Sequence, residues 1–217
     1  GAGEVIKNTE MYQELSRKHP VFIYDSYTVA KETSEIIFSF VFKIGPDLVF
    51  RPAIAFPKSK ISKINEPVLH TIAFHLGLAE IPSYWKVACS PRIIIKPGFL
   101  TREQISFWKT IIVKGLGEFF YKNKIDFTKD GFLTIECDSI QREAKQKILS
   151  EPVKRRTLVP VGGGKDSAVT LEILKREGGE FNCLLLNPTR AARDVAIIGG
   201  CPNPIVVRRT IDENLLT

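Results

Sequence analysis

The sequence has few of the residues that hold transition metals or cross-link small domains. It contains three histidines and four cysteines, and the cysteines are far apart in the chain: Cys89, Cys137, Cys183 and Cys201. They form no Cys-x-x-Cys pair and have no neighbouring histidine at zinc-ligand spacing. A zinc site is therefore not expected, and four reduced thiols in a cytoplasmic protein are the predicted state.

Long apolar runs and blocks of like charge are also lacking. No segment approaches the roughly 18 apolar residues of a membrane-spanning helix, and the first residues show no signal-peptide pattern. We therefore expect no membrane span. The net charge of +7 divides into +5 over residues 1–150 (21 basic, 16 acidic) and +2 over residues 151–217 (10 basic, 8 acidic). A surplus this dispersed suits an anionic small substrate as well as nucleic acid.

The 44% hydrophobic content is enough to bury a large core in one or two domains. A polar helix over residues 4–18 is expected to precede an antiparallel meander of three β-rich runs, and Pro52 indicates that the third strand is an edge or carries a bulge. These runs occupy residues 21–29, 36–44 and 48–56. The pattern favours an α+β domain over residues 1–150.

Helix-start signals follow the meander. Asn65 is the predicted cap of an apolar-striped helix that Gly77 would close. Thr101 and Gln104 form a capping box for a second, longer helix. Gly115 and Gly117 inside that helix would each cost about 1 kcal/mol relative to alanine, so we expect close packing against another backbone or a ligand beside them.

A short apolar run, three glycines and a run of helix formers occupy residues 158–174 and predict a strand, a tight turn and a helix. Glycines let consecutive backbone N–H groups converge on one point, and the helix start adds unpaired donors and partial positive charge. This is a predicted phosphate cradle. Its residues are Gly162, Gly163, Gly164, Lys165, Asp166 and Ser167.

Three kinds of phosphate loop compete for these residues. The Walker loop requires Ser or Thr after Gly-Lys, but Asp166 follows Lys165 here. It also requires a glycine five residues before that Gly-Lys, where this sequence has Val159. The dinucleotide fingerprint requires an acidic residue after the second strand, where Asn187 stands. The loop of the N-type ATP pyrophosphatases, Ser-Gly-Gly-x-Asp-Ser, is similar at four positions, with Gly162 in place of its first serine. A glycine-rich turn that binds nothing is the remaining alternative.

After the loop, strands and helices alternate, which predicts right-handed crossovers and a parallel sheet. Ligands of such sheets lie beyond the carboxyl ends of the strands, so Asn187, Arg190 and Arg193 are further candidates for phosphate contact. We therefore predict an α/β protein whose residues 151–217 begin a doubly wound nucleotide domain. Three strands are fewer than the usual five or six, so this domain is expected to be truncated.

The combination of three motifs is similar to the UDP-N-acetylmuramoyl-L-alanyl-L-glutamate epimerase family. The motifs are SYWKVACSP at 83–91, GLGEFFY at 115–121 and VPVGGGKDS at 159–167. The resemblance implies an ATP pyrophosphatase-like domain and an ATP- and Mg²⁺-dependent inversion of the terminal L-Glu of UDP-MurNAc-L-Ala-L-Glu, through an acyl-adenylate, with release of AMP and pyrophosphate. The expected partner is that UDP-linked substrate.

Under this resemblance, Lys165 and Asp166 would be the catalytic side chains at the phosphates, and Asp166 would hold Mg²⁺. Cys89 and Lys86 are weaker candidates for the proton transfers. An RNA-modifying enzyme that adenylates or thiolates a base would share the loop, although the dispersed basic residues argue against nucleic acid. A non-enzymatic assembly module is the third hypothesis. The sequence does not predict an oligomeric state.

Overall fold

The computed structural model describes residues 2–138 and 156–215. The predicted boundary near residue 150 lies outside these ranges. The described parts form one continuous mixed sheet with helices packed against it. The predicted α/β class is confirmed.

The amino-terminal helix and the meander are present. Helix α1 (Ala2–Lys18) leads into β1 (Val21–Lys31) and β2 (Glu35–Ile44), which pair antiparallel. The expected third strand is broken into β3 (Leu48–Phe50) and β4 (Ala53–Pro57).

The expectation of an edge strand holds for β3, which in the described part of the chain pairs with β2 alone, but not for β4, which lies inside the sheet between β2 and the last strand, β9. Proline has no N–H to donate, so the ladder is interrupted at this residue. The carbonyl of Pro52 still accepts a hydrogen bond from the Phe40 N–H at 3.0 Å.

A short helix α2 (Lys58–Ile61) precedes the long helix α3 (Glu66–Trp85). Asn65 caps α3 as predicted, accepting from the Val68 N–H at 3.0 Å. The predicted end at Gly77 is wrong. A Cβ on Gly77 would lie 2.0 Å from the Tyr24 hydroxyl oxygen, so this glycine lets strand β1 pack directly against α3.

Strand β5 (Arg92–Ile95) and strand β6 (Thr134–Cys137) flank two further helices, α4 (Arg102–Gly115) and α5 (Gly117–Asn123). The capping box of Thr101 and Gln104 is confirmed.

The single long helix expected here is interrupted at Leu116, whose φ is −102° and ψ is 17°. Packing of another backbone against Gly115 and Gly117 is not observed, because a Cβ on either would meet no described protein atom within 4 Å, and the ligand alternative stays a prediction. These glycines flank the break between α4 and α5.

The alternation after residue 156 is confirmed. It comprises β7 (Thr157–Pro160), α6 (Lys165–Glu177), β8 (Phe181–Leu186), α7 (Arg190–Ile198), β9 (Ile205–Thr210) and a short 3₁₀ turn (Glu213–Leu215). Strands β7, β8 and β9 are parallel. The antiparallel pair β4–β9 joins them to the meander, giving the order β6-β5-β1-β2-β4-β9-β8-β7.

The expectation of four reduced thiols is wrong for one pair. Cys183 on β8 and Cys201 after α7 form a disulfide, whereas Cys89 and Cys137 are free. The crossover returns the chain from α7 to the side of β8, which brings the two cysteines together across 18 residues. The sequence spacing alone contains no sign of this contact.

Within residues 2–138 and 156–215, no helix is long and apolar enough to cross a membrane.

Candidate phosphate-binding loop

The glycine-rich turn follows β7 at the carboxyl edge of the parallel strands. Gly163 has a φ of +88°, a backbone conformation that favours glycine. A Cβ there would lie 2.8 Å from the backbone nitrogen of Ala192 and 2.9 Å from its Cα. The turn therefore packs directly against the first turn of α7, and both constraints at this position require glycine.

Helix α6 begins immediately after the turn without a side-chain cap. Gly164 occupies the cap position, whereas side chains cap the starts of α3, α4 and α7. The first amides of a helix have no intrahelical acceptor, and the helix dipole makes that end partly positive. The start of α6 is therefore suited to an anionic ligand.

The predicted side chains surround this helix start. Lys165 and Asp166 are exposed on its first turn, and Ser167 is half-buried. The Gly162 N–H donates to the Ser167 hydroxyl oxygen at 3.2 Å, which folds the loop onto the helix. A Cβ on Gly162 or Gly164 would meet nothing within 4 Å, so open space lies beside the backbone at both positions.

Asn187 lies at the end of β8, but its side chain is bonded to protein. Its Nδ2 donates to the Arg209 carbonyl at 2.8 Å, and its Oδ1 accepts from the Arg209 N–H at 2.8 Å. These bonds hold the chain as it leaves β8 with a φ of 43°. Both polar atoms of the side chain therefore have protein partners in this conformation.

The two candidate arginines, Arg190 and Arg193, lie on α7, the helix that contacts the loop, but their side chains are exposed to solvent. The Arg190 side chain is 96% exposed, and its Nε lies 3.9 Å from an Asp194 carboxylate oxygen. Arg193 is also exposed. The described arrangement brings the α7 backbone to the loop at Gly163, and leaves both guanidinium groups accessible from solvent.

A buried polar junction, which the sequence did not predict, connects α3 to the end of β9. The Arg209 guanidinium donates to the Glu80 carboxylate at 2.8, 2.9 and 3.1 Å and to the Ser83 hydroxyl at 3.0 Å. The Glu80 side chain is 7% exposed, and the adjacent carboxylate raises the pKa of Arg209. Only three-dimensional packing brings these residues together.

Two further contacts extend the junction. The Asp212 N–H donates to the Tyr84 hydroxyl at 3.2 Å, and the Asp212 carboxylate accepts from the Arg51 N–H at 2.5 Å. Burial raises the pKa of Tyr84, so its phenol remains protonated at neutral pH. Part of the SYWK sequence is therefore structural, fixing the carboxyl end of β9.

The two weaker catalytic candidates lie after α3. Cys89 is 3% exposed, and its thiol donates to the Lys86 carbonyl at 3.7 Å. Burial raises the pKa of Cys89 to about 12, so the thiol is neutral near pH 7. Lys86 is the half-exposed residue that ends α3.

The side chains at the loop offer one carboxylate, Asp166, as a metal ligand. Among residues 2–138 and 156–215, no group of three His, Cys, Asp or Glu side chains could hold a metal ion. Mg²⁺ often takes one or two carboxylates and completes its coordination with phosphate oxygens and water. A lone Asp166 at an anion-binding helix start is compatible with that form of binding.

Two cavities of about 560 and 570 Å³ lie away from this loop. The second opens between residues at the amino ends of β7, β8 and β9, at the opposite edge of the sheet. No loop residue lines either cavity.

The fold and the loop define an α/β protein with a candidate phosphate-binding turn at the carboxyl edge of a parallel sheet. The profile of one family, described as the MurL N-terminal domain, matches residues 13–217. The chain belongs to this family, and the resemblance drawn from its three motifs is confirmed.

Relatives carry a matching name. The chain is 30% identical over 217 residues to the UDP-N-acetyl-alpha-D-muramoyl-L-alanyl-L-glutamate epimerase of Salinispora tropica, covering 94% of this chain and 44% of that protein. It is 30% identical to the Micromonospora protein of the same name (94% and 45%) and 27% identical to that of Xanthomonas oryzae pv. oryzae (75% and 35%). The chain spans less than half the length of these relatives. No solved structure matches it.

Proposed function

We propose that this chain is the nucleotide-holding part of an ATP- and Mg²⁺-dependent epimerase that inverts the terminal L-Glu of UDP-MurNAc-L-Ala-L-Glu. The observation that carries the proposal is the uncapped start of α6 behind Gly163, in a chain whose relatives are named for that epimerisation. The family match favours this function over modification of RNA. A cytoplasmic location belongs to the proposal, because ATP is supplied there.

The chemistry gives an epimerase a reason to bind ATP. Removing the α-proton from the terminal glutamate while its α-carboxylate is free would place a carbanion beside a group that is already negative. Attack of a carboxylate oxygen on the α-phosphorus of ATP breaks the bond to the β-phosphate and releases pyrophosphate. The resulting acyl-adenylate has lost that negative charge, so its α-proton is more acidic.

A base then removes the α-proton, and an acid returns a proton to the opposite face of the carbon. Water attacks the acyl carbon, AMP leaves, and D-glutamate remains on the precursor. Cys89 and Lys86 are the candidates that the sequence offers for these transfers, but Cys89 lines a cavity just before β5, at the other end of the sheet from the loop. The proton transfers at a glutamate held by the loop are therefore not assigned to Cys89.

The loop residues have separate roles in this scheme. The amides at the start of α6 and the Lys165 ammonium would hold the β- and γ-phosphates and stabilise the charge that develops as pyrophosphate leaves. Asp166 would hold Mg²⁺, which supplies further positive charge at those oxygens. The Ser167 hydroxyl maintains the loop by accepting from Gly162.

Titration calorimetry with ATP and Mg²⁺ tests the site directly. We expect Lys165→Ala to weaken binding by about tenfold or more, because a charge-assisted contact to phosphate is lost. Gly163→Ala should do the same by straining the loop against α7. Lys175→Ala, which removes an exposed charge at the other end of α6, is the matched control.

The absence of ATP binding by the unmodified chain, or equal binding by all three variants, would refute the nucleotide site. The epimerase activity is tested on a polypeptide of the relatives' full length that contains these 217 residues. It is incubated with ATP, Mg²⁺ and the UDP-linked dipeptide, followed by chiral analysis of glutamate and an assay for AMP. Inversion without ATP consumption would contradict the adenylation step.

A further inference from the structure

The cavity of about 560 Å³ lies between α1 and the segment that follows α5. One side is formed by residues of α1, including Tyr12 and Arg17. The other contains Lys124, Lys129 and Phe132, with Cys89 also lining the space. Its volume is within the range of small-molecule sites.

Positive charge predominates around this cavity. Arg17, Lys124 and Lys129 line it, and none forms an ion pair within 4.0 Å with a carboxylate in the described part of the chain. The one lining carboxylate is Asp126, whose Oδ1 accepts from the N–H and hydroxyl of Thr128 at 3.0 and 2.6 Å. Three cations against one carboxylate leave a local charge of +2.

The aromatic lining is fixed from behind. Phe132 meets the rings of Trp85 and Phe120 edge-on at centroid distances of 6.1 and 5.5 Å. Tyr12 meets Phe119 edge-on at 5.5 Å. Because their packing restrains these rings, they offer a planar ligand a preorganised apolar surface beside the cations.

Two residues in uncommon backbone conformations line the same space. Cys89 and Lys124 have φ values of 49° and 57°. Lys124 ends α5 in a left-handed conformation that is common at helix ends, but buried Cys89 is an unusual residue for it. Such conformations concentrate at ligand sites.

The topology places this cavity at the same edge of the sheet as the phosphate loop. Strands β5 and β6 are parallel to β1, and β1 is antiparallel to β9 through β2 and β4. The amino ends of β5 and β6 therefore face the same direction as the carboxyl ends of β7 to β9. Six strand spacings separate β5 from β7, the strand that precedes the loop, or roughly 29 Å along the sheet.

We propose that this cavity binds the uridine diphosphate end of the substrate, with uracil against Tyr12 and Phe132 and the diphosphate at Arg17, Lys124 and Lys129. The assignment rests on the proposed function, because the substrate is taken from it. A pyrimidine and two linked phosphates match an aromatic surface beside three cations without a carboxylate ion pair, although Lys124 Nζ lies 4.4 Å from the Tyr121 ring centroid and Arg17 Nε donates to the Gln13 carbonyl at 3.2 Å. The sugar and dipeptide would then extend along the shared edge towards the loop.

Calorimetry with UDP, without ATP or Mg²⁺, tests the inference on the 217-residue chain. The double variant Lys124→Gln/Lys129→Gln should bind UDP about tenfold more weakly than the unmodified chain, because two phosphate contacts lose their charge. The control Lys109→Gln/Lys114→Gln removes the same charge from exposed positions on α4, outside the cavity. It should bind as the unmodified chain does.

Pyrophosphate tests the aromatic part of the assignment, and should bind about tenfold more weakly than UDP because it has no base to stack. The inference is overturned if UDP does not bind, if both double variants bind it alike, or if pyrophosphate binds as tightly. Lys165→Ala separates the two proposals. It should weaken ATP binding and leave UDP binding unchanged, so either site can fail while the other stands.

Discussion

The two ends of the sheet differ in how completely their apolar residues are buried. Around the meander, Phe22, Tyr24, Phe38 and Trp85 are all 0% exposed and belong to one large aromatic core. The strands β7 to β9 share a smaller core of mainly aliphatic and small residues. Large apolar side chains on that unit remain exposed by half or more, namely Leu158, Val169, Ile173, Leu186, Ile197 and Ile198.

The difference divides the described chain into two parts. We call residues 2–138, which contain the aromatic core, the frame, and residues 156–215, which carry the phosphate loop, the site unit. The unit that carries the phosphate loop is attached to the rest of the molecule through the β4–β9 pairing and the contact of Arg209 with Glu80 on α3. The phosphate loop therefore lies on the less buried part of the molecule. Regions with few buried contacts open more readily, which suits a loop that must admit a ligand.

The largest expected contrast compares one core residue from the frame with one exposed residue from the loop-bearing unit. Trp85→Ala should lower the free energy of unfolding by about 4 kcal/mol, because it leaves a cavity and removes the indole N–H that donates to the Ser90 carbonyl. Val169→Ala, at a side chain 58% exposed, should change it by less than about 0.5 kcal/mol. Urea unfolding measures both.

Similar losses of unfolding free energy in the two variants would contradict the difference in burial between the aromatic core and the exposed face of α6. A loss at Val169 comparable to that at Trp85 would also require a partner for the exposed face of α6. Ligand-free chain is used for both, since bound nucleotide would add its own stabilisation.

The next effect concerns the junction between frame and site. Glu80→Ala should cost about 3 kcal/mol, because it leaves the mostly buried Arg209 guanidinium without its carboxylate. Hydrogen exchange should show faster opening at β7 to β9 than at β1 and β2. Glu172→Ala, which breaks an exposed pair with Arg176, is the control and should cost less than about 0.5 kcal/mol.

Uniform loss of protection across the whole sheet would contradict a junction that holds the site unit in particular. Replacing both partners by apolar residues of similar size, Glu80→Leu with Arg209→Met, should recover much of the loss, because no buried charge is then left unpaired. This double variant separates the cost of an unpaired charge from the loss of a specific attachment.

Features encoded by neighbouring residues could be predicted from the sequence. The cap at Asn65, the capping box at Thr101 and the alternation after residue 156 each depend on spacings within a few residues. The turn at Gly163 was likewise recognisable as part of a strand–turn–helix segment. The position of the candidate site follows from these local signals together with the rule for parallel sheets.

Features that depend on distant contacts could not be predicted in the same way. Gly77 resembles a helix end locally, but Tyr24 on another strand explains it. Gly115 and Gly117 resemble packing sites, yet they flank a helix break. The Cys183–Cys201 disulfide, the β4–β9 pairing and the Arg209–Glu80 contact all depend on how the elements assemble.

The smallest expected effect is electrostatic and lies in the frame. Hydrogen bonding to Lys43 is the main cause that lowers the pKa of Asp25, with a further contribution from Lys96. A carboxylate with a lowered folded-state pKa stabilises the fold above its unfolded pKa, near 4, and this stabilisation is lost as pH falls through the folded value. Asp25→Asn should therefore cost about 0.5–1 kcal/mol at pH 7, a range discounted for the partial exposure of both lysines.

The same variant should approach the unmodified chain in stability at an acid pH below the lowered pKa of folded Asp25, where the carboxyl group is protonated in both states. Urea unfolding at pH 7 and at that acid pH measures this convergence, and 1 M salt at pH 7 should reduce the difference by screening. A deficit that is equal at both pH values would mean that Asp25 acts through packing or neutral hydrogen bonding, rather than through its charge. The frame would then owe its greater stability to its aromatic core without help from this ion pair.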